Sequence, residues 1–335
     1  IINRFDHRSP GTTHGHHTAS AMLSVESFNL ASNPSFLPEQ LKFVQTWQPK
    51  RQFFNTSWWF YGSMEKYNAA DKTNLIAMQT GVYYPATGKS NQEIAALSRS
   101  RHQSQGFGST GVRGEDTEYL ELINGEALKN NKSLFEGIDT TWNRVKGGKA
   151  IGELVTKIAT EFNFNEPAAS IPNLAKAYSM IQALDENHWA PLKSAEIKEI
   201  IAACSGLYLE AVAQNQETTP GSNIKLKLEA INRSTSPIQL LSVITLPNEI
   251  KTVQNLELKN NVLKSINLDL RLPETIKYTQ PYWLQESGTE GMYTVNNQKN
   301  IGIPDIIREV KVIFNLKISG IHIPFERTVV YKYND

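Results

Sequence analysis

The chain has 335 residues, 40% of them hydrophobic and 20% charged, which is the composition of a globular protein of roughly two domains. The formal net charge is +1 and no long basic block occurs, so we expect no nucleic-acid partner. No apolar run approaches the roughly 18 residues of a membrane span, and the single cysteine excludes a multi-cysteine metal site.

The first region, 1–125, is predicted to mix strands and helices. Residues 1–5 have the apolar character of a short strand, and a polar loop rich in glycine and histidine follows. Apolar residues at helical spacing then predict a helix over about 17–31. The strand-like opening, together with a strand-like segment from Val329 to the last residue, leads us to expect a piece of a longer protein.

Further along this region, the aromatic segment 51–61 predicts one buried strand. Its Trp58 and Trp59 are adjacent on that strand, so at most one of them would face a ligand, and we favour core packing for the pair. Ser90 followed by Glu93 has the spacing of a capping box and predicts the start of a helix.

The second region, 126–218, is predicted to be helical because it contains three apolar stripes at helical spacing. The third stripe includes Cys204, which we expect to be a core residue, and continues through Leu207, Tyr208 and Ala211.

The third region, 219–335, changes to a period of two. The alternation begins at Ile224, and further apolar runs recur at about ten-residue intervals with turns between them. This pattern predicts an all-β sandwich that begins after the turn sequence at 219–222 and folds on its own.

The densest chemical signal is the cluster His14-Gly15-His16-His17. It lies between a predicted strand and a predicted helix, which is where binding sites form in open α/β folds, and neutral imidazoles suit zinc. From the spacing alone, a solvated histidine-rich loop is an equally good interpretation. We expect His14 and His17 to share one pocket and His7 to lie outside it.

Three motifs occur in order across 1–125. The first combines Asn3-Arg4-Phe5 with the segment 13–20 around the histidines; the second joins 36–40 to 47–51, and the third spans 98–108. Together they resemble the LmbE-like (PIG-L) zinc-dependent N-deacetylases. The helices and β region resemble the long members of that family, whose C-terminal sandwich is of the NEW3 type.

This resemblance implies an α/β fold: a partial Rossmann-like deacetylase domain, a helical segment and an immunoglobulin-like sandwich. It also implies a Zn²⁺ hydrolase that removes an acetyl group from an N-acetylglucosamine-type sugar or glycoconjugate. His17 matches a zinc ligand, and His14 matches the histidine that stabilises the oxyanion and assists the leaving amine. His16 stands where many members have aspartate, so an orienting contact is expected there. Members with the sandwich look exported, which implies a periplasmic or extracellular location.

Two residues near the third motif are further candidates. Arg99 and His102 are placed to contact a polar sugar. For Arg99 we favour a salt bridge within the fold, and for His102 a loop-bonding role is an equally good explanation. For Arg113 we likewise favour a salt bridge within the fold over contact with a sugar.

The sequence departs from the family at its opening motif. No histidine precedes Pro-Asp and no Asp-Asp pair occurs, so two of the three zinc ligands and the general base are absent. We therefore expect an incomplete, inactive zinc site in this chain, completed in the full protein by an N-terminal segment. The alternative is a non-catalytic glycan-binding or scaffolding protein with a degenerate deacetylase domain.

Overall fold

The computed structural model describes residues 1–9, 13–129, 133–186 and 188–333. Helices account for 29% of the residues and strands for 26%, so the prediction of a chain that mixes α and β structure is confirmed. The chain divides into two compact units, one from Ile1 to Ile138 and one from Asp139 onward. No helix in the described ranges is long and apolar enough to span a membrane.

The first unit is built around a four-stranded sheet with the order β1-β2-β6-β3, in which β1 runs parallel to β2 and the other neighbours are antiparallel. A separate hairpin pairs β4 with β5. The elements are β1 (Ile2–Asn3), α1 (Gly15–Leu30), β2 (Arg51–Thr56), α2 (Met64–Ala69), β3 (Ile76–Gln79), β4 (Tyr83–Tyr84), β5 (Lys89–Ser90), α3 (Asn91–Arg99) and β6 (Thr117–Gly125).

The core of this unit is small. Phe53, Ile76 and Leu120 form it, one from each of three adjacent strands, and all three are at most 7% exposed. The predicted helix over 17–31 is present as α1. The capping box is confirmed, since Ser90 Oγ accepts from the Glu93 amide at 3.2 Å and Glu93 Oε2 accepts from the Ser90 amide at 2.9 Å.

The single buried strand predicted over 51–61 is wrong in its second half. The strand ends at Thr56, and Trp58–Tyr61 forms a 3₁₀ turn that ends at Gly62 with φ of +80°. The half-buried Phe60 packs against the buried Phe54, and their rings meet edge-on with the centroids 4.9 Å apart. Trp58 and Trp59 are therefore left 48% and 47% exposed, contrary to the predicted core packing.

The second unit contains helices and two antiparallel sheets, with the strand orders β10-β9-β12-β13 and β11-β8-β7. Its elements are α4 (Lys149–Thr160), α5 (Ile171–Gln182), α6 (Trp189–Ser205), β7 (Tyr208–Ala213), β8 (Asn223–Ile231), β9 (Ile238–Leu246), β10 (Ile250–Glu257), β11 (Lys264–Arg271), β12 (Lys311–Ile318) and β13 (Ile321–Thr328).

The third predicted helix is too long at its C-terminal end. Helix α6 ends at Ser205, because Gly206 adopts a left-handed conformation with φ of +55° and the Leu207 amide turns back to a carbonyl in the last helical turn. The following residues form β7, which pairs with β8 and buries Leu209 and Ala211. Cys204 packs against the core, as predicted, and burial raises the pKa of its thiol.

Helices and sheets of the second unit share one apolar core. Ile171 of α5, Ile201 of α6, Leu228 of β8 and Phe314 of β12 all belong to it and are fully buried. This arrangement differs from the predicted regions 1–125, 126–218 and 219–335, because one unit contains both the helices and the sheets. The turn at 219–222 lies between β7 and β8, inside one sheet, and its Thr219 and Ser222 hydroxyls are 2.6 Å apart.

We therefore expect the segment from Asp139 to the C terminus to unfold in one cooperative transition. A segment that begins at Thr219 lacks β7 and the helices, exposes the core that they cover, and should lose that cooperativity. Thermal denaturation followed by circular dichroism compares the two. An equally sharp transition in the shorter segment would show that the sheets do not need the helices.

Candidate functional site

The histidine cluster lies at the N-terminus of α1. His14 is the N-cap residue, and its carbonyl accepts from the amides of His17 at 3.0 Å and Thr18 at 3.3 Å. This first turn places residues three apart on the same side of the helix. The His14 and His17 rings are accordingly stacked, with centroids 5.7 Å apart and planes 18° apart. The two histidines come together as predicted, and both are exposed rather than enclosed in a pocket.

Phe5 extends this pair into a row of three rings. Its ring stacks on His17 with the centroids 4.1 Å apart and an interplanar angle of 15°. Phe5 lies just beyond β1, so the end of the strand orients the imidazole of His17. We call Phe5, His17 and His14 the ring stack. His16 is also exposed, but it projects from another side of the helix because successive helical residues do not share a face.

A chain of buried and half-buried polar side chains holds α1 against the sheet. Asn3 Oδ1 accepts from Ser24 Oγ at 2.7 Å, and Ser24 Oγ accepts from Gln52 Nε2 at 2.8 Å. Gln52 Oε1 in turn accepts from Asn124 Nδ2 at 2.9 Å. These bonds join β1, α1, β2 and β6, and Gln52 is fully buried. Sequence reasoning missed this network, because the aromatic residues around Gln52 dominate the pattern of that segment.

The loop between β1 and α1 is anchored by two arginines. Arg4 Nη1 donates to Asn55 Oδ1 at 2.6 Å, beside the end of β2. Arg8 donates to both carboxylate oxygens of Glu121 at 2.8 Å and to Asp6 at 2.9 Å. A bidentate arginine–carboxylate pair of this kind fixes direction as well as distance.

His7 stays outside the ring stack, as predicted. Its Nδ1 lies 3.8 Å from Asp6 Oδ1, and the side chain is partly buried. Burial raises the pKa of Asp6. The hydrogen bonds from Arg8 and its positive charge lower that pKa by more, so it lies below its ordinary value of 3.8. The hydrogen bond to Glu121, together with that to Asp6, raises the pKa of Arg8, so this guanidinium is permanently charged.

The ring stack is not a complete metal site. In the described ranges, no group of three or more histidine, cysteine, aspartate or glutamate side chains is placed to hold a metal ion. A catalytic zinc normally has three protein ligands. His14 and His17 alone do not satisfy that requirement, so the residues present do not fit a complete zinc centre.

Arg99 and His102 lie at and just beyond the end of α3. The Arg99 side chain lies over Gly106, where a Cβ would come within 2.5 Å of Arg99 Nε, and the His102 carbonyl accepts from the Gln105 amide at 3.1 Å. Arg113 forms a salt bridge with Glu93 at 2.9 Å. Among the contacts of the described residues, none joins Arg99 or His102 to the ring stack. A substrate role for these two residues stays a prediction.

Neither a protein-family model nor a curated protein matches the chain. Among solved structures, the sporulation control protein Spo0M from Bacillus subtilis aligns with a TM-score of 0.21 and 9% identity, over 38% of this chain and 50% of that one. The Pseudomonas fluorescens alkylpurine DNA glycosylase AlkC aligns with a TM-score of 0.17 and 9% identity, over 52% of this chain and 50% of that one. A Listeria innocua β-glucosidase aligns with a TM-score of 0.17 and 13% identity, over 37% of this chain and 16% of that one.

The chain thus spans half or less of each of these structures, and similarities this weak carry no argument about function.

We expect Asp6→Asn to lower the free energy of unfolding at neutral pH, because an uncharged amide would lose the ionic contact with Arg8. Since the pKa of Asp6 is depressed in the folded state, its stabilising contribution is present above 3.8 and is lost as the pH falls through the folded pKa. Urea denaturation of both proteins across acidic pH measures this. The stability difference should shrink below pH 3.8 and be smaller in an Arg8→Gln background; a constant difference would contradict the assignment.

Proposed function

We propose that this chain carries the histidine part of a zinc-dependent N-deacetylase acting on an N-acetylglucosamine-type sugar or glycoconjugate. The observation that supports the proposal is the juxtaposition of His14 and His17, with ring centroids 5.7 Å apart at the N-terminus of a helix that follows a parallel strand. The same residues carry the motif resemblance. In α/β proteins, the carboxyl ends of parallel strands and helix N-termini are favoured positions for binding and for stabilising negative charge.

In this proposal the two histidines have different roles. His14 donates a hydrogen bond to the acetamide oxygen as negative charge develops on it, and then a proton to the departing amine. The free amide groups of the first turn of α1 add to the positive potential at that place. His17 is the metal ligand, held in orientation by Phe5. His16 is an orienting neighbour, and Arg99 and His102 are substrate contacts.

The remaining ligands and the general base are proposed to come from a His-Pro-Asp-Asp segment outside these residues. The first unit is then part of a Rossmann-like deacetylase domain, and the second contains a NEW3-type, immunoglobulin-like sandwich. A periplasmic or extracellular location belongs to the same proposal. The incomplete ligand set supports the second candidate, a glycan-binding or scaffolding protein with a degenerate deacetylase domain.

The test measures bound zinc and the acetate released from an N-acetylglucosamine-containing substrate. We expect this chain alone to bind zinc weakly and to release no acetate. The protein with a His-Pro-Asp-Asp segment joined upstream should bind zinc tightly and release acetate. In that longer protein, His17→Ala should weaken zinc binding and abolish turnover. His14→Ala should keep the zinc and lower turnover by about 10²- to 10⁴-fold, the usual contribution of a general acid.

His188→Ala is the matched control, since it changes an exposed histidine at the start of α6 that has no part in the proposed site. Stoichiometric zinc and turnover in the short chain would show that the site is misassigned. A longer protein that binds zinc but never releases acetate would favour the binding or scaffolding alternative.

A further inference from the structure

We infer that Trp58 and Trp59 form a sugar-binding surface next to the ring stack, with Trp58 as the face on which a sugar ring stacks. The class of ligand rests on the proposed function; the surface itself follows from exposure and position. Both indoles are nearly half exposed. Tryptophan carries a large apolar area, so two adjacent exposed tryptophans on a small domain indicate a contact surface.

The register of the sheet brings the segment that leads into Trp58 next to the segment that leads into Phe5. β1 and β2 run parallel with Asn3 opposite Phe54, so both strands end at the same edge. Beyond that register, Arg4 donates to Asn55 and, through Nη2, to Ser57 Oγ at 3.5 Å. Phe5, the first ring of the stack, follows Arg4 directly, and Trp58 follows Ser57 directly.

Ring contacts anchor Trp59, which lowers the entropic cost of binding at this surface. The ring of Trp59 meets Phe60 edge-on with centroids 5.2 Å apart, and Phe60 meets the buried Phe54 in the same way at 4.9 Å. Trp59 is therefore linked through Phe60 to the buried Phe54, and Trp58 precedes it directly in the same 3₁₀ turn. A binding group that is already ordered loses little conformational freedom when the ligand arrives.

The chemistry of this edge fits a sugar better than an apolar chain. An indole face accepts the C–H face of a pyranose, and an indole N–H can donate to a hydroxyl. The exposed guanidinium of Arg4, which donates to Asn55 and Ser57, is a polar group of the kind that orients sugar hydroxyls. A ring stacked on Trp58 would therefore have an apolar partner and a hydrogen-bonding partner together.

The experiment is isothermal titration of the chain with the trisaccharide of N-acetylglucosamine, which needs binding but no turnover. Trp58→Ala should weaken binding about tenfold, the loss expected for one well-packed aromatic contact, and Trp58→Phe should restore part of it. Trp47→Ala is the matched control, because Trp47 is 63% exposed and precedes β2 at its opposite end. We expect that control to bind as the unchanged protein does.

The possible results separate this inference from the proposed function. Loss of binding in Trp58→Ala but not in Trp47→Ala supports the surface, whether or not the longer protein releases acetate. Equal affinity in Trp58→Ala and the unchanged protein overturns the surface and leaves the deacetylase proposal to the acetate measurement. No binding of the trisaccharide by the unchanged chain also overturns it. Circular dichroism of Trp58→Ala confirms that an exposed substitution has left the fold intact.

Discussion

The parallel pairing of β1 with β2 is the constraint on which the site depends. The pair is short, yet the Ile1 amino group donates to the Arg51 carbonyl at 3.0 Å and the Phe53 amide donates to the Ile1 carbonyl at 2.9 Å. A shift of one residue would turn each side chain of β1 to the opposite face. Asn3 would then leave Ser24, and Phe5 would leave His17. The ring stack is therefore a consequence of strand register rather than of the histidine spacing alone.

Buried hydrogen bonds reinforce that register. Asn3 is 7% exposed and Gln52 is fully buried. The hydroxyl of Ser24 in α1 forms a hydrogen bond with each of them. Buried polar groups are costly unless they are paired, so each alternative register would leave at least one of them without its present partner. The same bonds fix where α1 begins relative to the strands, and so where His14 and His17 lie above the end of the sheet.

Local signals in the sequence predicted the elements that depend on local contacts. The capping box at Ser90 and the pairing of His14 with His17 each rest on a three-residue spacing within one helical turn. The exposure of the tryptophans could not be predicted in this way, because it depends on the turn after Thr56 and on the tertiary contact of Phe60 with Phe54. Leu207, Tyr208 and Ala211 fit a helical stripe, but Leu209 and Ala211 also alternate as a buried strand does, and only Gly206 marks the change.

The candidate site was predictable in part for a related reason. Histidine clustering is visible in the sequence, whereas the stacking of Phe5 depends on where β1 ends, and the contacts of Arg99 depend on the fold of the loop at Gly106. The rings of His14 and His17 contact each other, whereas the contacts of Arg99 and His102 lie in a separate loop. The proposed division of roles, with His17 as a ligand and His14 as a proton donor, rests on the motif resemblance and not on distance.

That division is tested most directly by zinc X-ray absorption spectroscopy on the protein joined to a His-Pro-Asp-Asp segment. The account predicts that the unchanged protein and its His14→Ala variant have the same imidazole contribution to the zinc shell, and that His17→Ala loses one imidazole. A zinc shell that changes on removal of His14, or that is unaltered on removal of His17, would contradict the assignment of the two histidines.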